Sequence, residues 1–193
     1  MEQKEKKNKE LLIKSLPIFL CVGIMIVDQI TKILVFNNIP FGETYASFFD
    51  GFIRITHVWN TGAAFSFGAD LAPVIRAIML KILPLVVLLG LIVYYYKTNE
   101  FNKLQQWSLW AIIGGGFGNL IDRFFRPGGV VDFVDVDFFD IDLLGFQMTR
   151  WPVFNVADMS VVIGGILLLI SLIIEVKKEV KISKVNDTGI END

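Results

Sequence analysis

A chain of 193 residues that is 53% hydrophobic, with a net charge of −2 and a mean hydropathy of +0.56, is too apolar for a soluble domain of its size and reads as an integral membrane protein. A single cysteine, Cys21, excludes an intrachain disulfide and any cysteine-based metal site, and a single histidine, His57, excludes a His-rich zinc site. The basic N-terminus adjoins an apolar run, so it marks membrane topology and not a nucleic-acid partner.

Four apolar stretches approach the roughly 20 residues that cross a bilayer. They are residues 11–36, 74–96, 104–121 and 156–174. The first is too long for a signal-peptide core, carries Asp28 and Gln29, and lacks a small-residue cleavage site, so it stays as a membrane anchor. Phe19-Leu20-Cys21 is not a lipidation box, because Leu20 is too large beside the cysteine. Cys21 is expected to pack as a small hydrophobe.

Lysines gather at Lys4, Lys6, Lys7, Lys9 and Lys14, at Lys97 and Lys103, and at Lys177, Lys178, Lys181 and Lys184. With four spans all three groups fall on one side. Both termini are then cytoplasmic, and residues 37–73 and 122–155 face outward. Tyr94, Tyr95, Tyr96 and Trp107 are placed as an aromatic belt at the cytoplasmic edge, while Arg76 and Lys81 snorkel near the outer end of the second span.

In the first outer loop, Asp50-Gly51 signals a turn and residues 52–59 are rich in aromatic and β-branched side chains. Asn60-Thr61-Gly62 supplies a second turn. A small sheet resting at the membrane surface is expected, with His57 as a surface or interface group. The second outer loop holds Asp132, Asp135, Asp137, Asp140 and Asp142, mostly as solvated charges, in an alternation that also suggests a strand. The predicted architecture is a membrane all-α fold: four transmembrane helices with a small extracytoplasmic β-sheet built from the outer loops. A single domain covers residues 1–185, and residues 186–193 form a disordered tail.

Chemistry-bearing residues collect at the outer ends of the spans. Asp28 and Lys32 are four apart on one helix face and read as an ion pair. In GGGFGNLIDR, Gly114, Gly115, Gly116 and Gly118 permit close helix packing or close approach of a substrate. Asn119 and Arg123 follow four apart, and Arg123 is free to hold a substrate or to pair with an acid such as Asp122. Asn155 and Asp158 share the first turn of the last span, where an aspartate also serves as a helix cap. Ionisable groups beside hydrocarbon are costly to keep, and two carboxyls that meet there can share a proton for acid–base hydrolysis without a metal. Asp132 and Asp158 are the candidates.

Three other readings compete. A transporter would use the same charges as relays, although four spans without an internal repeat argue against the common plans. A structural subunit leaves the clustering of Asn and Asp unexplained. A serine peptidase would need Ser66 or Ser160 beside Lys32 or Lys81.

The motifs DQITK (28–32), NTGAAFS (60–66), GGGFGNLIDR (114–123), VVDF (130–133) and FNVAD (154–158) occur in this order. In them the chain resembles the lipoprotein signal peptidases, also called signal peptidase II, from end to end except for its two tails. The resemblance implies a bacterial inner-membrane aspartyl endopeptidase. Such enzymes cut a diacylglyceryl-modified prolipoprotein before its lipid-bearing cysteine and are the target of the cyclic peptide globomycin. It implies Asp132 and Asp158 as the catalytic pair, supported by Asp28, Asn60, Asn119, Arg123 and Asn155. No cofactor or metal is expected. The expected partners are the lipidated substrate and membrane lipid, with no nucleic acid, and the chain is expected to act as a monomer. Residues 134–151 depart from the family pattern in being more acidic.

Overall fold

Proline has no N–H to donate and cannot continue a preceding helix, and Pro17 divides the first apolar stretch. Helix α1 (Glu2–Ser15) ends just before it and α2 (Ile18–Asn38) begins just after. The computed structural model describes residues 1–62, 68, 70–137, 141–143, 146–148 and 150–188. Residues 63–66 of the NTGAAFS motif, Asp140 and residues 189–193 of the expected tail lie outside the described residues.

Strands β1 (Thr44–Phe48) and β2 (Ile53–Asn60) form a hairpin across Phe49–Gly51, where all three residues take positive φ (53°, 54° and 93°). β3 (Val130–Val136), from the second outer loop, adds antiparallel to β2, giving the order β1-β2-β3. The sheet is thus built from both outer loops. A separate hairpin, β4 (Ile141–Leu143) with β5 (Phe146–Met148), lies in the acidic segment. Helix α3 (Pro73–Ala77), a π-helical turn (Ile78–Ile82) and α4 (Leu83–Lys97) run on as one 25-residue rod. α5 (Lys103–Phe125) starts at a reciprocal cap: the Asn102 side chain accepts from the Gln105 backbone and the Gln105 side chain from the Asn102 backbone, each at 3.0 Å. α6 (Val156–Thr188) continues past the expected span end at 174 into the segment expected as a tail.

Among the described residues three helices are long and apolar enough to cross a membrane, Gln3–Asn38, Pro73–Lys97 and Val156–Ser183. Their outward faces carry exposed Phe19, Ile26, Ile30, Val86, Val93, Ile166 and Leu169, an apolar surface that water would not tolerate. The predicted third span, α5, is not among the three. It is the central helix, packed against α2, α4 and α6, with Leu109, Trp110, Ile113, Gly114, Gly115 and Leu120 buried. A helix wrapped by other helices meets little lipid, so glycines, Gln105, Ser108 and Asn119 replace lipid-facing apolar side chains. Gly115 and Gly164 make that wrapping possible. A Cβ at Gly115 would press to 2.8 Å of Val161, and one at Gly164 to 2.8 Å of the Ser108 carbonyl.

Three expectations change. His57 is 3% exposed and not at the surface: its Nδ1–H donates to the Ile39 carbonyl at 2.7 Å, and its ring packs against Phe36, Phe41 and Trp59. Tyr95 turns inward from the belt, fully buried against Trp110 and donating to the Lys14 carbonyl at 2.5 Å, while Tyr94 and Trp107 stay exposed. Asp135 is buried and ion-paired, at 3.0 Å from Arg54 and 2.8 Å from Arg150, and Arg150 also reaches Asp137 at 2.7 Å. Cys21 is buried, as expected.

Gly115→Leu is expected to push α6 off α5 and destabilise the protein by about 1–3 kcal/mol or more, read as a lower Tm in detergent. An unchanged Tm would show that the helices do not rely on that contact.

Candidate active site

Phe154 pairs with β3 outside the sheet proper: its N–H donates to the Val134 carbonyl and its carbonyl accepts from the Phe133 and Val134 N–H groups, at 2.8–3.0 Å. This short ladder delivers the start of α6 to the strand that carries Asp132. Asn155 is then fully buried beside it, and its Nδ2 donates to Asp132 Oδ1 at 2.6 Å and to Asn119 Oδ1 at 3.0 Å. The Asn155 N–H donates to Asp158 Oδ2 at 3.1 Å, and Asn155 Oδ1 accepts from the Asp158 N–H at 3.0 Å. The helix-cap reading of Asp158 therefore holds, and it does not exhaust the residue. The other carboxylate oxygen accepts from Asn119 Nδ2 at 2.8 Å.

Five of the seven predicted site residues form one chain of contacts around the two carboxyls. Asn60, at the end of β2, donates to Asp132 Oδ2 at 3.0 Å and accepts the Gly62 N–H at 3.0 Å. Asp132 thus has an amide donor on each oxygen. Asp28 joins from behind: Oδ1 accepts the Ala157 N–H at 2.9 Å, anchoring the first turn of α6 to α2. Arg123 is near but differently engaged. Its Nη2 donates to the Gly62 carbonyl at 3.1 Å, and its buried Nε has no partner among the described residues. Asp122 does not pair with it.

Sequence reasoning placed Lys32 in an ion pair with Asp28 or beside a serine, and Asp122 as an acid for Arg123, but gave neither a role around the carboxyl pair. Both are completely buried. Lys32 Nζ lies 2.8 Å from Asp28, 3.0 Å from Asp122 and 2.9 Å from Asn119 Oδ1. Asp122 also accepts from Arg126 at 2.9 Å and from the Val131 N–H at 3.2 Å, which fixes the start of β3. The four-residue spacings Asp28–Lys32 and Asp122–Arg126 were visible, but nothing in one dimension says that the two pairs meet.

Asp132 is 2% exposed, and burial, reinforced by the charge of Asp158, pushes its carboxyl up from the ordinary range to about 7. The Asn60 and Asn155 amides and the Lys32 charge oppose that rise without cancelling it. Asp132 is therefore able to hold a proton near neutral pH, with a second carboxyl close by. A cleft lined by Asn60, Thr61, Arg76, Lys81, Arg123 and Arg126 shares Asn60 and Arg123 with this site, and neither carboxyl lines it. Ser160 donates to the Ala111 carbonyl at 2.6 Å, occupied in helix packing and not poised as a nucleophile, and Ser66 lies outside the described residues.

A family model described as signal peptidase (SPase) II matches residues 20–174. The lipoprotein signal peptidase of Treponema pallidum is 43% identical over 176 residues, covering 91% of this chain and 92% of the relative. That of Treponema denticola is 46% identical over 167 residues, covering 86% and 94%. A bacterial membrane enzyme solved by the in meso method at 2.3 Å superposes with a TM-score of 0.68 at 29% identity, covering 84% of this chain and 90% of that one. With a family model spanning most of its length and relatives aligned nearly end to end, the chain belongs to the signal peptidase II family.

Proposed function

We propose that this chain is an aspartyl endopeptidase that removes the signal peptide from prolipoproteins, with Asp132 and Asp158 as its catalytic pair. The observation that carries this reading is the Asn155 bridge. Buried Asn155 donates its side-chain NH2 to Asp132 and its backbone N–H to the Asp158 carboxylate, so the two carboxyls share one small site. Close like charges in a buried site cannot both ionise easily, which leaves one proton between them near neutral pH.

In the mechanism, the ionised carboxylate takes a proton from a water as that water attacks the scissile carbonyl. The protonated partner donates to the carbonyl oxygen, and the pair then returns a proton to the leaving amine. Asn60 and Asn119 orient the two carboxyls from opposite sides. The free Nε of Arg123, with the cleft beside it, would take a substrate carbonyl or head-group oxygen. No metal takes part in this reaction.

The same proposal covers the setting. α5 crosses the bilayer with the other three spans, in the bacterial inner membrane. The lysine clusters hold both termini in the cytoplasm and the sheet stands at the outer face. The substrate's diacylglyceryl chains stay in lipid against the exposed apolar helix faces. Its modified cysteine then sits at the depth of the pair, and cleavage falls just before it. Cyclic peptides of the globomycin type would occupy the same cleft, and the enzyme works as a monomer.

Purified protein in detergent is expected to cleave a lipidated prolipoprotein, to spare the unlipidated precursor, and to be indifferent to EDTA. Cleavage that stops with chelator would refute the mechanism. Asp132→Asn and Asp158→Asn are each expected to fold and to lose roughly 100- to 10,000-fold in kcat. Wild-type turnover in either would remove the pair. Because one carboxyl must hold a proton, activity is expected to fall as pH rises through about 7. Asp158→Asn removes the like charge that raises Asp132, so infrared difference spectroscopy of the Asp132 carboxyl should show its midpoint moving down.

A further inference from the structure

We infer that Lys32 is a positioning residue for hydrolysis, fixing which end of the Asn119 amide faces Asp158. This rests on the catalytic reading above and goes beyond it. A primary amide is nearly symmetric in shape, so packing alone does not choose between its oxygen and its nitrogen. Chemistry chooses here. The ammonium of Lys32 only donates, and it is 2.9 Å from Asn119 Oδ1. The Asn155 Nδ2 donates to that same oxygen at 3.0 Å. With two donors on one end, the Asn119 NH2 must point the other way, where it meets Asp158 at 2.8 Å. An inverted amide would set its oxygen against the carboxylate and its NH2 against an ammonium.

Lys32 is itself held without slack. Its three N–H donors have three acceptors, Asp28, Asp122 and Asn119. Asp28, Lys32, Asp122 and Arg126 together sum to zero charge, so the buried cation is compensated where it stands. It touches neither catalytic carboxyl directly. Its influence on them runs through Asn119 and through its charge.

The charged groups around the pair are Asp28 and Lys32 on α2, Asp122 and Arg123 on α5, Arg126 just past its end, and Asp158 on α6, while His57 of β2 is engaged with Ile39. Lys32 lowers the Asp132 midpoint among these, so its loss should raise it. A purely structural lysine would change the amount of folded enzyme and leave the pH profile alone.

The test compares wild-type enzyme with Lys32→Met and with Asp28→Asn/Lys32→Met, which keeps the buried charge balanced. All are full-length protein in detergent, assayed on a lipidated prolipoprotein from pH 5 to 9. Expected in both are a kcat lower by roughly tenfold or more with KM changed far less, and in Lys32→Met an alkaline limb moved up by about half a pH unit, with a smaller rise in the double variant, which also loses the Asp28 charge. Lys32→Arg, which keeps the charge, should leave the limb near its wild-type position. A limb that stays put in both neutral variants overturns the proposal, as does failure of both to fold, which would make Lys32 a folding residue only. Asp132→Asn runs alongside: retained cleavage there would defeat the catalytic pair itself, whereas loss there with an unmoved limb in the Lys32 variants defeats only the role of Lys32.

Discussion

The upper half of this molecule depends on one buried amide. Asn155 sits where the start of α6 meets β3, and it bonds to the carboxyl each one carries. Its own position is set by backbone, because Phe154 is zipped to β3 immediately before it. A buried Asn with unmade bonds would cost about 1–3 kcal/mol per group. Every polar end of Asn155 is used, so the site is stiff where the chemistry needs fixed geometry.

Behind that junction lies a layer of buried charge. Asp28, Lys32 and Asp122 are wholly removed from solvent, which is tolerable only because each is paired and hydrogen-bonded in turn. The layer ties α2 to α5 by Lys32, α2 to α6 by the Asp28 bond to Ala157, and α5 to β3 by the Asp122 bond to Val131. Breaking any one tie would leave a buried charged group short of a partner, so the helices hold a single relative placement. The two carboxyls inherit it.

Glycines set how near these elements come. α5 is stripped of side chains where it faces α2 and α6, and Gly118 leaves room for the Asp28 carboxylate, which a Cβ there would meet at 2.8 Å. The small residues thus serve packing and also the passage of polar groups across a helix interface. The same substitutions make α5 the least apolar of the long helices, which is why its composition falls short of a span while its packing is central.

Much of this was readable along the chain. Apolar runs marked the helices, and turn residues with a β-rich stretch marked the hairpin. The order of five short motifs singled out the residues that now surround the two carboxyls. Local spacing also paired Asp28 with Lys32. Spacing could not show that Asp122, 94 residues after Asp28, closes on the same ammonium, that Arg123 turns to a carbonyl, or that His57 and Asp135 are buried. Those outcomes depend on which elements pack together. Periodicity along a chain reports which face of an element is apolar, and it carries no information about the partner that face will meet.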